Sequence, residues 1–313
     1  MQRILDPAQI EAFAQRAIPR IRLPDRANVF SRRAQRLRQL GEKQAVGHSI
    51  GDYLRLMASI ADAQHRSLAS IEVTVPSAEQ LAQARTHRMP LLHAAGWPRD
   101  SRWLSVLPEL CEQVAGLTEF PASVGELCTE LRGSRREHLE TQADAVLAGR
   151  TAEVNPAGAP FIMSALQVYW VHMASRLPTS DVTELDVPGV CPVCGTLPVA
   201  SVVRVDKHSQ GYRYLHCPLC ATEWHMVRVT CSQCLATQDI SYHSIEGGSD
   251  AIRAESCGSC RTYRKILYQE KDTSVEPVAD DLASLALDLL LGEAGYHRVS
   301  GNPLLWQNPP QPV

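Results

Sequence analysis

The sequence predicts an α+β protein: an N-terminal all-α helical domain, then tandem Cys₄ metal modules of the rubredoxin-like or zinc-ribbon type, then a C-terminal helix. Three observations lead there. Apolar residues recur at helical spacing up to about residue 178. The composition shifts abruptly at Asp186 towards Val, Tyr, Thr and Cys, with Pro188-Gly189 marking the boundary. Eight of the ten cysteines fall between Cys191 and Cys260, arranged as four Cys-x-x-Cys pairs. A chain of 313 residues exceeds the usual size of one core. We therefore divide it into a helical domain (1–185), a first ribbon (186–229), a second ribbon (230–272), and a C-terminal helix with its tail (273–313).

Phe30, Ala34, Leu37 and Leu40 mark a first helix. Tyr53, Leu54, Met57, Ile60, Ala61 and Gln64 trace a second, with Asp52 as its expected N-cap. Pro76-Ser77 opens another that runs to about Arg88, and residues 104–117 and 124–147 supply two more. Pro160 starts a strongly apolar helix ending near Arg176, with Pro178 just beyond. Residues 161–177 are the most membrane-like stretch, but they are few and include Gln167, His172 and Arg176, so a bilayer crossing is disfavoured. Several helices with short polar connections imply a bundle. Short β-type runs at 199–205 and 224–229 flank the cysteines. After Pro277 a helix returns: Asp280-Asp281 open it and Leu282, Leu285, Leu289 and Leu290 form its expected buried stripe. It should pack back on the ribbons or on the helical part.

The N-terminus has no basic stretch followed by an apolar run, so no export signal is read and a cytoplasmic location is expected. In a reducing compartment the cysteines point to metal and not to disulfides. Adding 40 to Cys191, Cys194, Cys217 and Cys220 gives Cys231, Cys234, Cys257 and Cys260. Arg213 and Thr222 match Arg253 and Thr262 under the same shift, which reads as an internal duplication. Two residues between cysteines let a tight turn aim both sulfurs at one ion, and two such knuckles complete a tetrahedron. Four thiolates leave no open position for water or substrate, so the sites are structural or electron-carrying and not hydrolytic. Tandem copies favour sequential pairing, Cys191/Cys194/Cys217/Cys220 for one ion and Cys231/Cys234/Cys257/Cys260 for the other; a cross-braced pairing of first with third knuckle is the rival. Spacing alone does not separate Zn²⁺ from a single iron.

Cys111 and Cys128 lack partners at ligand spacing and read as buried structural cysteines. His216 and His225 sit beside the second knuckle as surface or supporting residues. Arg16, Arg20, Arg22, Arg26, Arg32, Arg33, Arg36 and Arg38 form a basic run, read as a solvated helix face paired with nearby acids, or else as a docking surface for an acidic partner. Net charge is −3, and residues 188–271 carry nine Lys/Arg against seven Asp/Glu. Two divalent four-thiolate centres, at −2 each, leave the module acidic, which argues against nucleic acid.

Several segments together resemble the formate dehydrogenase accessory protein FdhE family. They are Leu23-Pro24-Asp25-Arg26 with Phe30 and the run from Arg32 to Leu40; Asp52-Tyr53-Leu54 with Ala63-Gln64; and Cys191-Pro192-Val193-Cys194-Gly195 with Pro198-Val199-Ala200-Ser201 and the later knuckles. Asp280-Asp281-Leu282-Ala283, Leu287-Asp288-Leu289-Leu290 and Asn302-Pro303 complete the set in the expected order. The resemblance implies a cytoplasmic assembly factor or chaperone and not an enzyme. Its partner would be the catalytic subunit of a respiratory formate dehydrogenase, bound before export, with no membrane insertion. The resemblance also links the cysteine pairs to rubredoxin-like iron, moving the expected cofactors, two metal ions, from zinc towards iron.

Overall fold

The computed structural model describes residues 18–44, 48–205 and 211–306. Seven helices build the N-terminal part: α1 (Val29–Glu42), α2 (Ser49–Ser70), α3 (Ala78–Thr86), α4 (Trp103–Ala115), α5 (Ala122–Gly133), α6 (Arg136–Leu147) and α7 (Ala159–Ala174). The predicted stripes on α1 and α2 are buried, except that Tyr53 at the start of the second is half-buried. Ser77 caps α3 as expected, accepting from the Gln80 amide at 3.2 Å while the Gln80 side chain accepts from the Ser77 amide at 2.9 Å. Every residue of α7 is buried. It reads as apolar on all sides because it runs through the middle of the bundle. No helix among the described residues is long and apolar enough to cross a membrane.

Three helical expectations need correction. Asp52 lies in the first turn of α2 and not at its cap, which is His48. The stretch 124–147 is two helices, because the chain turns extended at Ser134 and Arg135. Gly133 and Ser134 are weak helix formers, so the break falls where interruption costs least. The C-terminal helix is also two: α8 (Pro277–Ala283) and α9 (Leu285–Glu293). Glu276, not Asp280-Asp281, caps α8, accepting from the amides of Val278 and Ala279. The break at Ser284 resets the helical phase, so Leu282, Leu287 and Leu291 are buried while Leu289 and Leu290 are 70% and 51% exposed.

The strands are β1 (Ile21–Arg22), β2 (Ala200–Val203), β3 (Arg213–His216), β4 (Glu223–His225), β5 (Ile240–His243), β6 (Ile252–Cys257), β7 (Thr262–Tyr268) and β8 (His297–Arg298). They form one sheet in the order β1-β4-β3-β2-β7-β6-β5, with β8 beside β7. The shift of 40 carries β2 onto β5 and places the β3 and β4 residues within β6 and β7. The second run therefore counts as strand only to His225. Within each copy the strands are antiparallel; β2 joins the copies by pairing parallel with β7, Ser201 opposite Ile266.

The basic run is not a solvated face where it matters most. Arg33 and Arg36 are 1% and 4% exposed. Arg33 meets Glu276 at 3.1 Å, and Arg36 meets Asp280 at 2.6 Å and Asp272 at 2.8 Å. These pairs fasten α1 to α8. A buried guanidinium is tolerated only with such partners, and they lie more than 230 residues away in sequence. Arg26 donates to the Leu68 carbonyl and Arg38 pairs with Asp62. Arg16 lies outside the described residues. The C-terminal segment thus packs on both parts, with α8 against α1 and α9 laying Leu287 and Leu291 near Ala254 and Tyr263 of the sheet.

Candidate metal centres

Each Cys-x-x-Cys pair sits in the same turn. The amide of the residue that follows the second cysteine closes it: Gly195 to Cys191 O at 2.8 Å, Ala221 to Cys217 O at 3.2 Å, Leu235 to Cys231 O at 3.0 Å, and Arg261 to Cys257 O at 2.9 Å. Those four donors all have positive φ, between 57° and 77°. Only one is glycine, so three side chains accept a strained backbone to make the knuckle. The turns also aim amides at sulfur: Cys220 N and Gln233 N each lie 3.4 Å from the Sγ of Cys217 and Cys231.

The eight sulfurs gather in sequential sets. Cys191, Cys194, Cys217 and Cys220 lie with their sulfurs within 4.8 Å of one another, as do Cys231, Cys234, Cys257 and Cys260. The cross-braced arrangement is not seen. In the first set Cys191–Cys220 and Cys194–Cys217 are 3.6 and 3.3 Å apart. In the second, Cys231–Cys260 and Cys234–Cys257 are 3.7 and 3.6 Å apart. A tetrahedron with metal–sulfur bonds of about 2.3 Å has edges of about 3.8 Å, so both sets fit a thiolate-bound ion such as zinc or iron. The matched threonines act alike. Thr222 Oγ1 lies 3.2 Å from Cys220 Sγ, and Thr262 Oγ1 lies 3.0 Å from Cys260 Sγ.

The two sets differ in surroundings. The first is wholly buried, and the helical part grips its knuckles: Leu92 N donates to Val193 O at 2.7 Å, Ala94 N to Cys194 O at 2.9 Å, and Gln167 Nε2 to Pro218 O at 2.7 Å. Gly195 is the glycine of the series because a Cβ there would come within 3.0 Å of His93. Burial opposes ionisation of Cys191, Cys194 and Cys217 and pushes Cys191 and Cys217 well up, whereas hydrogen bonds from the other thiols and Thr196 hold Cys194 well below the usual thiol range. The second set is open: Cys234 is exposed and Cys260 half-buried. Partial burial opposes ionisation of Cys260 too, but the hydroxyl and amide of Thr262 bring it to about 7. A thiol of that kind is ready to surrender its proton to a metal.

His216 is buried, not superficial. Its Nδ1 lies 3.1 Å from Glu223 Oε1, and Glu223 is also paired with Arg22 at 3.3 Å and with Arg204. Burial works against the Glu223 carboxylate, but Arg204 and His216 hold it well below the usual range. His225 is half-buried beside Arg20, 3.3 Å from its guanidinium. Cys111 and Cys128 are buried as read, and they touch each other across α4 and α5. Sequence reasoning missed Gln167. Its place in an apolar run was the available signal, since a buried amide must find partners.

With this geometry in hand, comparison with known proteins is decisive. Models of the FdhE N-terminal, central and C-terminal domains match residues 18–186, 190–228 and 229–305. The chain belongs to the FdhE family. It is 42% identical over 308 residues to the protein FdhE homolog of Cronobacter sakazakii, covering 97% of each chain. Against protein FdhE of Salmonella paratyphi A it is 43% identical over 290 residues, 92% of each. Its structure is similar to the crystal structure of the FdhE protein from Pseudomonas aeruginosa, with a TM-score of 0.81 at 38% identity, covering 92% of this chain and 99% of that one.

Proposed function

We propose that this FdhE-family chain is a cytoplasmic, non-catalytic assembly factor that binds the immature catalytic subunit of a respiratory formate dehydrogenase and supports its maturation. The observation that carries the reading is family membership along nearly the whole chain, joined to two four-thiolate clusters that leave a bound ion no vacant position for substrate. In this reading Cys191, Cys194, Cys217 and Cys220 hold one ion and Cys231, Cys234, Cys257 and Cys260 the other. Both ions are iron, and the ribbons form part of the surface that meets the client.

The test is an anaerobic pull-down of the catalytic subunit with wild type and with Cys→Ser variants in each ribbon. Retention by wild type and loss in a second-ribbon variant whose helical part stays folded supports the reading; no retention by wild type under reducing conditions sinks it. Exposure of Cys234 favours a second reading, a rubredoxin-like electron carrier serving such a client. That reading requires a reversible metal couple and electron transfer faster than client turnover.

A further inference from the structure

Position 264 breaks the repeat. The shift of 40 carries Trp224 onto Arg264, so the second centre has a guanidinium where the first has an indole. Trp224 donates its N–H to Pro188 O at 2.8 Å and carries no charge. Arg264 is 5% exposed. Its Nε donates at 2.9 Å to Ser232 Oγ, inside the knuckle between Cys231 and Cys234. Its Nη1 donates to Pro198 O and, at 3.1 Å, to Ser300 Oγ, while Nη2 has no partner. Every acceptor is neutral.

Three carboxylates of the same part of the fold are committed elsewhere. Glu255, opposite Arg264 on β6, takes Arg213 at 2.8 Å and the Tyr242 hydroxyl at 2.9 Å. Asp281 takes Arg298 at 2.6 Å and Lys265 at 3.6 Å, and Asp288 takes Lys265 at 2.6 Å and Arg298 at 3.1 Å. Burial, with Arg213 and Arg298, pulls the Arg264 guanidinium down to about 9; Asp281 and Cys231 oppose them. A buried charge with no counter-charge is strongly disfavoured. The cysteine cluster lies beside it, with Cys231 and Cys257 lining the same small cavity as Arg264, and once metal-bound it is an anion.

We propose that Arg264 is the built-in counter-charge of the second four-cysteine centre, positioned by Ser232 so that the anionic metal–thiolate unit neutralises the guanidinium and the guanidinium strengthens metal retention. This rests on the second centre being metal-loaded. The first centre, with Trp224 in the equivalent place, has no such dependence.

The test uses the full chain loaded with Zn²⁺, a chromophoric chelator to follow release, and alkylation mapped by mass spectrometry to show which thiols open. Arg264→Met and Arg264→Gln should release one of two ions about tenfold faster than wild type. The newly alkylated thiols should be Cys231, Cys234, Cys257 and Cys260. Arg264→Lys, which keeps the charge, should behave as wild type. In a Cys234→Ser background, where the second centre is empty and the first still holds its ion, the order inverts: the uncharged variants melt no lower than the chain that keeps Arg264, because the orphaned charge is gone. Wild-type release from Arg264→Gln, or loss by Arg264→Lys equal to that of Arg264→Met, overturns the proposal. Wild type binding a single ion at the first centre is a different failure, since it removes the loaded second centre itself.

Discussion

The two cysteine centres share a backbone and almost nothing else. Both use the same knuckle, the same left-handed residue after the second cysteine, and the same threonine beside the fourth sulfur. The first is walled in by the 90–97 loop and α7, so its turns are also part of the bundle's core. The second meets solvent at Cys234 and leans on β8 and a buried arginine. Duplication copied the coordination and left the environment free to diverge. Environment decides what a closed site can do, because it sets access, charge and the cost of losing the ion.

The largest expected effect is therefore unequal. Cys217→Ser should cost the whole fold, because a structural four-cysteine site is worth about 10–16 kcal/mol and this one is also packing for the helices. Cys234→Ser should lose one ion while the helical part keeps its cooperative melt. Metal analysis with circular dichroism checks both, and equal damage from the two variants would erase the distinction drawn above.

A smaller effect is expected at Gln167. Its amide reaches Pro218 O, and its Oε1 accepts from Gln64 at 2.8 Å and from Arg33 at 3.4 Å. Gln167→Leu strands several buried groups and should cost about 1–3 kcal/mol in chemical denaturation, with faster metal loss from the first centre and none from the second.

The smallest effect at neutral pH is a pH dependence in the same helix, which develops only on acidification. Burial, then Arg26 and Arg176, depress His172 to about 4 from its ordinary 6.5. The unfolded chain then binds a proton that the folded chain refuses. Stability is full above pH 6.5 and falls as pH drops towards 4, by at most roughly 1.4 kcal/mol per unit. His172→Gln should flatten that slope in melts taken across the window.

The sequence carried the cysteine sets, the duplication and the α1 and α2 stripes in plain view, because each depends on local spacing. What it hid depends on distant partners. Arg33 and Arg36 look like a solvated face until Glu276 and Asp280 arrive from the far end of the chain. Leu289 and Leu290 look buried until the break at Ser284 turns them outward. Gln167 looked like a flaw in an apolar helix, and it is the tie between that helix and the first centre. The joining of both ribbons into one sheet rests on β2 finding β7, which no periodicity encodes.

That junction has a further consequence. Each ribbon offers two unlike edges, and the copies meet head to tail, the β2 edge of one against the β7 edge of the next. Contacts between unlike surfaces are not satisfied by a single pair; repeated, they propagate as a filament does unless the rotation closes them into a ring. The chain is a two-unit segment of such a series. At one terminus β1 stops it by covering β4, and at the other, among the described residues, β5 still presents an unpaired row of amides and carbonyls.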